Sequence, residues 1–309
     1  MKFKSKAALL TLFFCLALAA GWAVWPALSV VSAASKGEAG PVTLDELAEV
    51  LPEIKYGLES VRLRKNPGLL NNNAIADTTL PRLALLDATL SGGKFSNVYM
   101  PELHAKNLVL KNFRFTDCLI AKAVFENVRF ENCVFEGTFI NSSSFSQCEF
   151  NDCTFTHKDS ASNQPDFDKN SFSRVSINRA RFKNSFTLSN SEGQLTVREI
   201  KEAQATPNVG RFLFHGLGLQ LRVEKSSIGD IDFLQTWRDS RVEIVDSEFK
   251  GSKFWMGKSE LKFSKCSFDK NVSLDVEGSV TMNNCSAPDG VKTGYSTVLK
   301  VSGGNVKTS

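Results

Sequence analysis

Residues 118–156 read CLIAK AVFEN VRFEN CVFEG TFINS SSFSQ CEFND CTFT, and each group of five holds a bulky apolar residue in its third place: Ile120, Phe125, Phe130, Phe135, Ile140, Phe145, Phe150 and Phe155. The period runs back through Phe115, Leu110, Ala105, Met100, Phe95, Leu90, Leu85, Leu80 and Ile75 to Leu70. All eighteen positions of this one register are apolar; at the chain's 42% apolar content, chance would give that roughly once in several million trials. Helical side chains recur every 3.6 residues and strand side chains every 2.0, so neither element alone produces fives. The period demands a chain that turns a corner every five residues, each repeat forming one side of a coil.

The residues two before each centre are small: Cys118, Ala123, Val128, Cys133, Thr138, Ser143, Cys148 and Cys153. A large and a small inward residue per side fill a narrow bore at interior packing density, and the other three places are rich in Asn, Asp, Glu, Lys, Arg and Ser. With four sides to a coil, Phe115, Phe135 and Phe155 should pile in one column. Stretches such as Cys133-Val134-Phe135-Glu136-Gly137 and Cys153-Thr154-Phe155-Thr156-His157 resemble the pentapeptide-repeat family. The resemblance implies an all-β fold, a right-handed parallel β-helix of quadrilateral section with twenty residues per coil, over residues 70–187. The Phe-rich centres and the large Leu83, Leu103, Leu108 and Phe113 at the small site depart from the family, so the early coils are expected to be distorted or wider.

Outward from that core, 157–166 reads as a polar loop, after which the period resumes at Phe167, Phe172, Ile177 and Phe182. Thr196-Val197-Arg198-Glu199 is a capping-box pattern before Ile200, and Pro207 ends it, so residues 188–210 are expected to be a helical insertion. Residues 211–288 continue the solenoid less regularly: Val223, Ile244, Phe263 and Met282 align at a spacing near twenty, with Ser226, Ser247, Cys266 and Cys285 three places on. One continuous solenoid of roughly ten coils follows, rising about 4.8 Å per coil. Residues 289–309, rich in Gly, Ser and Thr, read as a tail. At the other end, 35–69 is expected to be a linker and short capping helix opening at Thr43-Leu44-Asp45-Glu46, with Pro52 ending or kinking it.

Residues 1–34 begin with Lys2, Lys4 and Lys6 and continue uncharged, the pattern of a signal peptide or a membrane anchor. Small residues at Val31-Ser32-Ala33-Ala34 favour cleavage, whereas the length of the apolar run and Trp22 and Trp25 favour an anchor over residues 7–33. Either way the remainder is expected outside the cytoplasm, in the periplasm or held at the inner membrane. Of the formal charge of +4, the three leading lysines supply most, leaving 34 basic against 33 acidic residues. That balance gives no electrostatic case for nucleic acid, nor for the acidic, DNA-mimicking role that some relatives of the resembled family perform.

Chemistry-bearing residues are sparse. Six cysteines beyond Cys15 all occupy the small interior site, where a thiol acts as a compact apolar group. Cys133 with Cys153 and Cys266 with Cys285 would stack on neighbouring coils, so buried free thiols and disulfides are both open readings, with free thiols favoured because parallel Cβ directions oppose a bridge. No zinc spacing is present, and His104, His157 and His215 read as surface residues. Asp230, Asp232, Asp239 and Asp246, with Arg238 and Arg241, invite comparison with carbohydrate-active β-helix enzymes. Trp237 and Trp255 break the Phe-only rule, and with Arg238 and Arg241 form the candidate partner-binding set, expected to point outward on adjacent coils. The reading is a non-enzymatic, exported β-solenoid, a rigid scaffold or docking surface for protein partners in a cell-envelope assembly. No catalytic residue, cofactor, metal or small-molecule substrate is assigned; the alternative is a carbohydrate-active enzyme.

Overall fold

The computed structural model describes residues 52–156, 166–183, 186–200, 202–204, 211–228, 231–249, 252–269 and 271–308. The chain divides into two compact units, Met1–Lys55 and Tyr56–Ser309. The signal or anchor segment, the pattern at residues 43–46, His157 and Asp230 lie outside the described residues.

The second unit is a parallel β-solenoid of about ten coils. One coil shows the plan: Val134–Glu136, Phe139–Asn141, Ser144–Ser146 and Glu149–Asn151 are four three-residue strands, designated faces A, B, C and D. Each strand pairs in parallel with the strand one coil away, as in Val134 opposite Thr154 and Phe139 opposite Leu119. The ladder is backbone throughout: the Val134 amide donates to the Phe113 carbonyl at 2.8 Å, and Thr154 to Cys133 at 2.8 Å. Four corners per coil require the chain to bend between strands. It does so at single residues in the left-handed region, including Asn127, Asn132, Ser142, Gln147 and Asp152, with φ between 51° and 56°. That conformation costs an L-residue about 1–2 kcal/mol, and the corner amides offset it by bonding to the next coil, as Asn132 N–H does to the Asn151 carbonyl at 2.8 Å.

The four corners are not alike. The corner from face D to face A keeps its left-handed residue at each turn from Asn72 through Asn132, Arg179 and Asp246 to Asn284 and Gly303. Extra length enters instead between faces A and B. There the register lengthens from 20 residues to 27 between Phe155 and Phe182, and Thr156, Lys183 and Gln204, the last residues of face A, stand in one column. Residues 157–165 and 205–210 follow two of those positions.

Inside, the periodic centres from Leu80 to Phe155 and the small residues Cys118 to Cys153 are buried. Phe95, Phe115, Phe135, Phe155 and Phe182 form one column, with successive ring centroids 5.4, 5.0, 5.2 and 5.4 Å apart and nearly parallel planes. Phe125, Phe145 and Phe172 form a second, at 4.6 and 5.5 Å. These are offset stacks that complement aromatic quadrupoles while sealing the bore. Val223, Ile244, Phe263 and Met282 stand in register, so the C-terminal part continues the same solenoid.

Three expectations need correction. Residues 186–198 form a strand and 202–204 another, not a helical insertion. Leu195 and Val197 point into the core and Thr196 does not, so burial on a neighbouring coil overrides the capping-box pattern. The expected tail is also strand: Val272–Thr293 and Thr297–Thr308 pair with each other, and Val291 is buried. The helix among the described residues is Pro52–Lys65, and the short helix expected before Pro52 lies outside them. Finally, the early coils keep the regular 20-residue register despite Leu83, Leu103, Leu108 and Phe113, all buried.

Candidate functional surface

With the interior committed to packing, recognition falls to the outward residues, which the register arranges in columns about 4.8 Å apart. Faces A, C and D of the early coils carry cross-coil ion pairs: Arg114 with Glu136 at 2.9 Å, Lys106 with Glu126 at 2.7 Å and Arg129 with Glu149 at 3.1 Å. The hydrogen bond between Lys106 and Glu126 holds the Glu126 carboxyl below its ordinary range and the lysine above its own. Exposed pairs of this kind add little stability, but they clothe those faces in alternating charge.

Face B differs. Thr79, Tyr99, Leu119 and Phe139 stack in one outward column, with Pro101, Ala121 and Asn141 in the next. None carries a charge, and Tyr99 and Leu119 are 41% and 36% exposed. The sequence reading missed this surface because it followed the five-residue period. Taking every twentieth residue one place before the centres would have found it. Beyond its edge, at the corner from B to C, a shallow groove of about 370 Å³ is lined by Lys122, Ser142, Ser144, Lys169, Asn190 and Glu192.

The sequence-derived set lies further along the solenoid. Trp255 is 42% exposed, but it stands opposite Gln235, while Arg238 stands opposite Lys258. Trp237 and Trp255 are therefore on neighbouring coils in different columns. Arg241 pairs with Glu260 at 2.8 Å. Glu224 is gripped by Arg198 at 2.7 Å and by Arg222, which also reaches Glu243, and these bonds lower the Glu224 carboxyl below its usual value, Arg198 foremost.

Asp232 belongs to the column of Arg211 and Lys253, whereas Asp246 is a left-handed corner residue between faces D and A. The register thus places these two residues at different positions around the coil. His104 is exposed, and His215 lies in a strand opposite Ser189. The six solenoid cysteines are free and buried, and burial pushes the Cys118 and Cys148 thiols up to about 11. Among the described residues no three metal-ligating side chains gather, and no helix is long and apolar enough to cross a membrane. Comparison with protein-family models and with curated proteins finds no match to this chain.

Proposed function

We propose that this β-solenoid is an exported, non-enzymatic scaffold of pentapeptide-repeat type that docks protein partners in a cell-envelope assembly. The observation that carries the reading is the division of labour between inside and outside. The interior columns are filled by packing residues, while the outward columns of the early coils differ by face, three carrying ion pairs and one lined by uncharged Thr79, Tyr99, Leu119 and Phe139, with Tyr99 and Leu119 exposed. A stack of coils joined by backbone bonds holds such side chains at fixed spacing, which lowers the ordering cost of binding. The five-residue period and four short strands per coil support the repeat type, and the basic, apolar start supports export.

The test is site-specific photocrosslinking in intact cells, with the reactive residue at Leu119, at Trp255 or at Glu149 on the charged face D. The reading expects a discrete protein adduct in the envelope fraction from Leu119 or Trp255 and none from Glu149. Equal labelling from all three sites, or recovery of the protein in the cytosolic fraction as a free monomer, overturns it.

A further inference from the structure

The small interior column places two cysteine pairs directly one above the other. Cys133 lies opposite Cys153, next to the paired Val134 and Thr154, and Cys266 lies opposite Cys285, next to the paired Ser267 and Ser286. The strand spacing of about 4.8 Å falls within the Cα separation of natural disulfides. The surroundings separate the pairs. Cys133 and Cys153 each donate S–H to a carbonyl of the coil beneath, to Leu110 at 3.3 Å and Phe130 at 3.5 Å. Cys266 does likewise, to Ile244 at 3.4 Å. Cys285 departs from the pattern: it donates within its own coil, to Asn283 at 3.4 Å. Above Cys153 the column continues with buried Ala180, but above Cys285 stands Gly304, which contributes no side chain. A Cβ at Gly304 would come within 2.0 Å of the Cys285 carbonyl oxygen, so only glycine fits above Cys285. Cys285 is thus the one of these four thiols that donates to no carbonyl of the coil beneath; its foremost contact there is with Cys266 itself.

We propose that Cys266 and Cys285 form a cross-coil disulfide by exchange with a low-molecular-weight disulfide such as glutathione disulfide, while Cys133 and Cys153 remain thiols. The Cys285 thiolate attacks one sulfur of the small disulfide, forming a mixed disulfide and expelling one thiolate. Cys266, deprotonated, then attacks the Cys285 sulfur and expels the second. Two protein thiols are oxidised, one small disulfide is reduced to two thiols, and one S–S bond joins the coils. The direction of attack follows from the contact between the sulfurs: a hydrogen bond from Cys266 lowers the Cys285 thiol and raises its own. In the other pair the upper thiol moves the opposite way: Cys153 is raised, by burial foremost and then by its hydrogen bond with Cys133. Both sulfurs of the reactive pair are buried in the closed coils, so exchange accompanies folding or transient opening of these turns, and the product makes the two coils open together.

The test uses the full chain, reduced, unfolded and refolded in a glutathione redox buffer, then quenched with N-ethylmaleimide under denaturing conditions and digested with trypsin. The expected result is peptide 266–270 linked to peptide 271–292, with a mass lower by about 2 Da than the sum of the free peptides, and peptide 130–158 carrying maleimide on all three of its cysteines. A parallel sample, folded in reducing buffer and then exposed to glutathione disulfide, yields the same link if refolding from the oxidised mixture fails. Cys285→Ser should fold with the parent circular dichroism and leave Cys266 alkylated. Folded protein with both Cys266 and Cys285 alkylated after oxidation overturns the proposal, as does equal oxidation of Cys133 and Cys153.

Discussion

Gly93 lies directly beneath Phe113 in one interior column, and a Cβ at residue 93 would approach the Phe113 ring carbon Cε1 to 2.3 Å and the Leu70 carbonyl oxygen to 2.7 Å. The bulky ring at a small site is accommodated because its neighbour one coil away has no side chain, so the early coils need no widening. Gly93→Ala should therefore destabilise the protein by about 1–3 kcal/mol, measured as a lower urea midpoint. In a Phe113→Ala background the same change should cost distinctly less. An equal cost in both backgrounds would show that the ring is not what the glycine accommodates.

The corner column from Asn72 to Gly303 makes a prediction about backbone. Asn132 sits at φ 53° and its side-chain amide donates to Asn112 at 2.7 Å. Asn132→Gly should stay within about 1 kcal/mol of the parent, since glycine adopts this region freely. Asn132→Val should lose about 1–3 kcal/mol, because a β-branched residue is strained there. Thermal unfolding of the two variants side by side gives the comparison, and equal stability would argue against the left-handed corner.

Asn170 is buried and joins three coils: its Oδ1 accepts from the Ser143 amide at 2.8 Å, its Nδ2 donates to the Ile140 carbonyl at 2.9 Å, and its own amide donates to Ser191 Oγ at 3.2 Å. Asn170→Leu removes both side-chain partners and leaves a buried donor and acceptor unpaired, at about 1–3 kcal/mol each. The expected outcome is a loss of at least about 2 kcal/mol in denaturant unfolding, with faster amide exchange at Ser143. Leucine accepted without loss would mean that the column tolerates an apolar residue there.

Acid should weaken the C-terminal coils through Glu224. Its carboxyl titrates below its ordinary value of 4.5 in the folded chain, chiefly because Arg198 bonds to it and then because Arg222 does. A depressed folded value means the stabilisation is present above the unfolded value and is lost as pH falls through the folded one. The urea midpoint should drop between about pH 5 and pH 3, and Glu224→Gln should flatten part of that slope. A variant with the parent's pH profile would remove Glu224 from the account.

Much of the fold was legible because a repeat writes the same constraint many times. The Phe115, Phe135 and Phe155 column follows from spacing alone, since each ring must find the same place one coil later. The helix expected over residues 188–210 shows the opposite case: a local capping pattern at Thr196–Glu199 reads convincingly by itself, yet Leu195 and Val197 gain more by closing the next coil. The uncharged face went unread because Tyr99, Leu119 and Phe139 are twenty residues apart and become neighbours only when the chain is wound. The cysteines were legible as interior residues, but not which of them donates to a carbonyl of the coil beneath.

By itself the sequence determined the period, the inward residues and the continuity of the solenoid, because side-chain size at every fifth place leaves one way to fill a narrow bore. Tertiary structure decided which corner takes the insertions, which face of the early coils is left without charge, and how Gly93 makes room for Phe113. Those features depend on register between coils, a relation between residues about twenty apart whose pairing is set by backbone hydrogen bonds and packing and by no local pattern.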